Sequence, residues 1–123
     1  MPDQTNHILI IDDNEDILFM LQTMLQIKGY SVTIKKNMDN LPEYSAALSP
    51  GVIIMDMLLS GADGREVCRA LKADTTLARI PVVMISAHPN AREECLAAGA
   101  NYFIYKPFEM MDLFNTVAQA INA

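Results

Sequence analysis

Basic residues are few in this chain. Lys and Arg number 9 against 15 Asp and Glu, which gives a formal net charge of −6, and neither sign forms a long block. A protein that binds DNA or RNA directly needs a positive surface to neutralise phosphates. The sequence therefore argues against nucleic acid as a direct partner.

Cysteine and long apolar runs are also scarce. Cys68 and Cys95 lie far apart and outside any C-x-x-C or Cys/His pattern, so neither a zinc site nor a redox pair is indicated. The longest apolar run is far below the roughly 18 residues that a membrane span requires, and the N-terminal MPDQTNH lacks the regions of a signal peptide. We expect a soluble, cytoplasmic protein with no membrane partner.

What the sequence does contain is an unbroken alternation of apolar runs and helical patterns. A chain of 123 residues, 51% of them hydrophobic, is long enough for one domain and too short for two, so we predict a single domain over 1–123. Strands are predicted at 7–11, 30–35, 52–55, 80–85 and 102–105, and the segment LLSGADG at 58–64 as a loop. Helices are predicted at 17–28, 39–48, 65–73, 90–98 and 108–121.

This alternation determines the fold class. Apolar strands that are buried on both faces and separated by helices form a parallel sheet with right-handed crossovers. Helices then cover both faces of the sheet. We predict an α/β protein with a doubly wound five-stranded parallel sheet in three layers, α/β/α.

Acidic residues open the first helix. Glu15 and Asp16 come at its predicted N-terminus, where capping groups and negative charge are favoured, and we assign both to that role. Apolar residues then recur at helical spacing until Gly29 provides a C-terminal cap. These residues are Ile17, Met20, Leu21, Met24 and Leu25.

Polar residues follow four of the five predicted strands. Asp12 and Asp13 come after the first strand, Asp56 after the third, Ser86 after the fourth and Lys106 after the fifth. In doubly wound sheets, ligands bind outside the carboxyl ends of the strands. We therefore expect three carboxylates, a hydroxyl and an ammonium group to converge on one edge of the sheet.

The three carboxylates point to a divalent cation. Carboxylates that lie close together raise one another's pKa unless a cation compensates their charge. Oxygen ligands with few carboxylates suit Mg²⁺, which usually completes its shell with phosphate oxygens, and Mn²⁺ is the alternative with similar preferences. Lys106 and Ser86 are then suitable partners for a phosphate group.

Five short motifs together resemble the receiver domain of two-component response regulators. They are IIDD at 10–13, IIMD at 53–56, the D-G pair at 63–64, Ser86-Ala87, and Lys106-Pro107-Phe108. The similarity extends over essentially the whole chain. It implies a flavodoxin-like sheet with the strand order 2-1-3-4-5.

The resemblance implies a role for each residue of the site. Asp56 would accept a phosphoryl group from the phosphohistidine of a sensor histidine kinase or phosphotransfer protein. Asp13, Asp56 and the backbone carbonyl of Leu58 would ligate Mg²⁺, and Asp12 would hold a metal-bound water. Lys106 would hold the phosphate. Such a domain promotes its own phosphorylation and dephosphorylation and is not an enzyme in the usual sense.

The resemblance also implies a switch. After phosphorylation, the Ser86 hydroxyl would move toward the phosphoryl oxygens, and Phe103 would move into the space that this vacates. The surface of the fourth helix, fifth strand and fifth helix would change, and relatives use it for dimerisation or docking. Expected partners are therefore a downstream protein or a linked output domain, and a second copy of the chain.

A calcium loop is an alternative interpretation of the first acidic cluster. Asp12, Asn14 and Asp16 match positions one, three and five of an EF-hand. However, Ile17 stands where glycine is needed and Thr23 where glutamate is needed. The sequence therefore argues against this interpretation.

Two other classes of function compete with a receiver. A haloacid dehalogenase-type phosphatase also uses an aspartyl phosphate, but it needs a second Asp two residues after the nucleophile, where this chain has Leu58. A protein-interaction module could keep the fold without being phosphorylated. Intact Asp13, Asp56, Ser86 and Lys106 favour the receiver.

Overall fold

In the computed structural model, which describes residues 6–59 and 61–122, seven strands and five helices follow one another along the chain. The strands are β1 (His7–Ile11), β2 (Ser31–Lys35), β3 (Val52–Asp56), β4 (Leu58–Leu59), β5 (Ala62–Asp63), β6 (Val82–Ser86) and β7 (Tyr102–Tyr105). The helices are α1 (Glu15–Ile27), α2 (Leu41–Leu48), α3 (Gly64–Ala73), α4 (Ala91–Ala97) and α5 (Met110–Ile121). Within the described ranges, no helix is both long and apolar enough to cross a bilayer.

Five of the strands form one sheet in the order β2-β1-β3-β6-β7. All four neighbouring pairs are parallel. Counted within this sheet alone, the order is 2-1-3-4-5, so the predicted topology and the doubly wound α/β class are confirmed. β4 and β5 form a separate antiparallel pair.

Two hydrophobic cores lie on opposite faces of the sheet. One contains Leu41 of α2, Cys68 of α3 and Cys95 of α4. The other contains Leu18 of α1 and Leu113 of α5. Because successive strand residues point to opposite faces, each central strand contributes to both cores, and the three-layer arrangement follows.

Several element boundaries differ from the predicted ones. The segment predicted as a loop at 58–64 contains the β4–β5 pair, which is too short to produce an alternating pattern in sequence. Helix α5 begins at Met110 and not at residue 108. Strand β6 begins after Pro81, which has no N–H to donate to a ladder.

Helix α1 begins directly after the acidic residues that follow β1. Asn14 is the N-cap of this helix, and the Asn14 side chain accepts a hydrogen bond from the Ile17 N–H at 3.1 Å. Glu15 and Asp16 therefore lie in the first turn and do not cap the helix themselves. Met20, predicted on the buried face, is 45% exposed.

The hydroxyl of Ser45 in α2 is buried. Its side chain is fully buried, and its Oγ has no hydrogen-bond partner among the residues that the structure describes. We expect Ser45→Ala to raise the free energy of unfolding by about 1 kcal/mol, because a buried hydroxyl without a partner has lost its hydration. Urea denaturation would measure this, with Ser31→Ala at an exposed position as the control. A lower stability of Ser45→Ala would contradict the expectation.

Candidate functional site

The predicted site residues of four strands meet at one edge of the sheet. Asp12 directly follows β1, Asp56 and Ser86 end β3 and β6, and Lys106 directly follows β7. These strands are consecutive neighbours in the sheet. The parallel order thus brings side chains that are up to about 90 residues apart in sequence to one edge, as the sequence predicts.

Lys106 is the centre of the site. Its Nζ lies 2.7 Å from Asp56 Oδ2 and 3.8 Å from Asp12 Oδ2. Its backbone N–H donates to the Ser86 carbonyl oxygen at 3.0 Å, which fixes the end of β7 against β6. The peptide bond between Lys106 and Pro107 is cis. One ammonium group therefore bridges two carboxylates.

Asp56 lies in a closely packed backbone environment. Its Oδ1 accepts a hydrogen bond from the Leu58 N–H at 3.2 Å, and its side chain is 16% exposed. The Gly64 N–H donates to the Met57 carbonyl oxygen at 2.6 Å, so the start of α3 packs directly on the end of β3. The carboxylate is thus held in place by local backbone on one side and by Lys106 on the other.

Burial and charge shift the pKa values of two of these groups. Burial raises the pKa of Asp12, and the charges of Asp56 and Asp13 add to this effect, while the Asn14 N–H and Lys106 oppose it. For Lys106, burial disfavours the charged form, but the hydrogen bond to Asp56 and the nearby carboxylates outweigh burial and raise the pKa. Lys106 is therefore a stable positive charge.

The donor set fits a divalent cation. Asp12, Asp13 and Asp56 carry three negative charges against the one positive charge of Lys106, and the side chain of Asp13 is exposed. Oxygen donors with excess negative charge are the ligands that Mg²⁺ prefers, and this ion keeps several waters. In residues 6–59 and 61–122, no three His, Cys, Asp or Glu side chains form a ready metal cage. The carboxylates that lie at this edge are nevertheless donors of the type that Mg²⁺ prefers.

The predicted switch residues lie next to this edge. Ser86 is buried, and its Oγ accepts a hydrogen bond from the His88 N–H at 3.0 Å. Phe103 is half-buried and packs against the core beneath α2, α3 and α4.

Sequence reasoning missed Tyr105, which contacts both Phe103 and the loop after β6. Its ring packs edge to face on that of Phe103, with 4.7 Å between the ring centroids. Its hydroxyl donates a hydrogen bond to the Pro89 carbonyl oxygen at 3.2 Å. The spacing of two residues on a strand was the available indication, because it places both rings on one face.

An ion-pair network beside the site was also missed. Arg65 lies 2.7 Å from Asp63, the N-cap of α3, and 2.8 Å from Glu94 of α4. The guanidinium of Arg65 lowers the pKa of Asp63 through their hydrogen bond. Glu94 is 29 residues from Arg65, and no local sequence pattern predicts such a pairing.

Comparisons with known proteins agree with this geometry. A sequence model of the family described as response regulator receiver domain matches residues 8–118. The transcriptional regulatory protein YkoG of Bacillus subtilis is 34% identical over 121 residues, which cover 97% of this chain and 52% of YkoG. The response regulator PleD of Caulobacter vibrioides is 35% identical over 112 residues, which cover 89% of this chain and 25% of PleD. The chain thus spans about half or less of the length of these relatives.

A solved structure is similar over its full extent. The receiver domain of the sensor histidine kinase PA1611 of Pseudomonas aeruginosa, described with a magnesium ion coordinated in its active site cleft, is 28% identical to this chain. The TM-score is 0.86, and the match covers 95% of this chain and 98% of that domain.

Proposed function

This chain belongs to the response regulator receiver domain family, and we propose that Asp56 is its phosphoacceptor. The donor would be the phosphohistidine of a sensor histidine kinase or phosphotransfer protein. The observation that carries the proposal is the contact of Lys106 Nζ with Asp56 at 2.7 Å, with Asp12 also in reach at 3.8 Å.

The reaction needs little covalent chemistry from the protein. An Asp56 carboxylate oxygen bonds to phosphorus while the bond from phosphorus to the histidine nitrogen breaks. Negative charge spreads over the equatorial phosphoryl oxygens, and catalysis consists mainly of positioning and charge stabilisation. Lys106, released from its contact with Asp56, provides a mobile ammonium group for these oxygens.

A divalent cation would complete the site. We propose that Asp13, Asp56 and the backbone carbonyl of Leu58 bind Mg²⁺, and that Asp12 holds a metal-bound water. When bound, the ion supplies positive charge for the phosphoryl group that is being transferred. The excess of carboxylates over ammonium groups at this edge of the sheet supports this assignment.

Phosphorylation would be read out on the face that includes β7. We propose that the Ser86 hydroxyl turns toward the phosphoryl oxygens and that Phe103 follows it, which changes the surface of α4, β7 and α5. A local change of charge then biases two arrangements of one surface. The chain would act as one cytoplasmic receiver unit whose surface docks a downstream protein, a linked output domain or a second copy.

Intact mass measurement tests the proposal. We expect the protein to gain one phosphoryl group from acetyl phosphate in the presence of Mg²⁺, and Asp56→Asn to gain none, because an amide cannot form an acyl phosphate. Asp39→Asn is the matched control, since Asp39 is an exposed aspartate that is not among the proposed site residues, and it should react like the wild type. No gain in a protein that binds Mg²⁺ would favour a phosphorylation-independent interaction module.

A further inference from the structure

The loop between β6 and α4 connects the site to the helix behind it. Residues 87–90 are all exposed, so packing contributes little to their position. Helix α4 is only 7 residues long, and the side chain of its N-cap, Asn90, makes no capping hydrogen bond. The position of this loop therefore depends on individual hydrogen bonds.

Two side chains hold the loop at its two ends. Near Ser86, the serine Oγ accepts the His88 N–H at 3.0 Å. Near α4, the hydroxyl of Tyr105 donates to the Pro89 carbonyl oxygen at 3.2 Å. Tyr105 is also the residue directly opposite Ser86 in the register of β6 and β7. A tyrosine on the edge strand thus reaches across to the loop that Ser86 begins.

We propose that Tyr105 is a positioning residue that stabilises the resting arrangement of this loop and so opposes activation. The inference rests on the proposed function and deepens it, because it names a second aromatic residue beyond Phe103. The Tyr105 bond occurs together with the pair of Lys106 and Asp56 and with the bond from the His88 N–H to the Ser86 Oγ, and we assign all three to the resting arrangement.

The direction of the effect follows from this assignment. If the Ser86 hydroxyl turns to a phosphoryl oxygen, its bond with His88 must change, and the loop moves relative to β7. The bond from Tyr105 to Pro89 holds the loop against this movement. Phe103 has no hydroxyl and cannot make such a bond, although its ring packs on that of Tyr105 with 4.7 Å between the ring centroids. The two aromatic residues thus have different roles in the proposal: Phe103 moves into the space beside Ser86, and Tyr105 holds the loop.

Titration with beryllofluoride, a stand-in for the phosphoryl group, tests the proposal at a fixed Mg²⁺ concentration. We expect Tyr105→Phe to bind beryllofluoride roughly 2- to 10-fold more tightly than the wild type, which corresponds to one ordinary hydrogen bond. Affinity for the activated state rises when the resting state loses stability. Tyr102→Phe is the matched control, because Tyr102 packs against the core on the other face of β7, and its affinity should not change.

A second readout follows Tyr105 itself. With 3-fluorotyrosine incorporated, the fluorine resonance that is missing in Tyr105→Phe identifies this residue, and we expect it to shift when beryllofluoride binds. Urea denaturation of each variant separates a structural role from a positioning role, since a structural hydroxyl would change stability but not affinity.

The outcomes distinguish the two proposals. Unchanged or weaker binding of beryllofluoride by Tyr105→Phe, or a Tyr105 resonance that does not move, would overturn the role of Tyr105 and leave the phosphoacceptor intact. Failure of the wild type to bind beryllofluoride would overturn the proposed function and, with it, this inference.

Discussion

Replacement of Gly64 by alanine is expected to lower the free energy of unfolding by about 3 kcal/mol. A Cβ atom at this position would lie 2.8 Å from the Asp56 carbonyl oxygen and 2.9 Å from the Met57 carbonyl oxygen. Both are backbone atoms at the end of β3 and cannot rotate away, so the cost lies near the upper end of the usual 1–3 kcal/mol range for overpacking. Gly64 is the first residue of α3, so the better propensity of alanine for helix interiors offsets little of this cost.

The same change should also impair the site. The displaced backbone carries the Asp56 carboxylate, and we expect slower reaction with acetyl phosphate even where the variant is folded. Gly29→Ala is the control: its φ is +100°, and no atom lies within 4 Å of the added Cβ. It should cost only about 1–2 kcal/mol of backbone strain and leave the reaction unchanged. Equal urea midpoints for the two variants would contradict the steric argument.

Removal of the charge on Lys106 is expected to slow phosphorylation of Asp56 by roughly 100-fold, the usual loss for one electrostatic contact to a transition state. Lys106→Met keeps an apolar stem of four atoms and deletes the ammonium group. Without it, the transferred phosphoryl group loses one of the two positive charges that we propose for its stabilisation. The rate with acetyl phosphate, followed by intact mass at saturating Mg²⁺, is the measurement.

A second charge deletion provides the comparison for this experiment. Lys36 pairs with Glu15 at the surface, where both side chains are more than half exposed, and Lys36→Met should react at the wild-type rate because exposed pairs contribute little. A Lys106→Met rate within a factor of about 3 of the wild type would mean that Lys106 does not act on the phosphoryl group. A threefold change corresponds to well under 1 kcal/mol.

The sheet and the polar edge could be predicted because each depends on a local pattern. The runs at 8–11 and 52–55 are apolar throughout, as strands buried on both faces must be. A polar residue directly after such a run lies at the carboxyl edge, so the sequence alone places Asp12, Asp56 and Lys106 close together. The strand order came from the resemblance, since periodicity does not order strands.

What could not be predicted depends on contacts between distant residues or on weak patterns. Met20 lies on a helix with apolar residues around most of its circumference, so spacing alone did not identify the buried side. The bonds from Arg65 to Glu94 and from Tyr105 to Pro89 join segments that only the folded sheet brings together. Sequence periodicity cannot predict such pairings.

Because strand residues alternate between two cores, the residues of one core can be substituted without changing the packing of the other. Ile53 and Ile54 are neighbours in sequence, yet Ile53 packs beneath α2, α3 and α4, whereas Ile54 packs beneath α1 and α5. A substitution on the side of Ile53 alters the support of α4, and one on the side of Ile54 leaves that support in place. Mutational drift or design could therefore alter the support of α4 while the layer beneath α1 and α5 keeps its packing and stability.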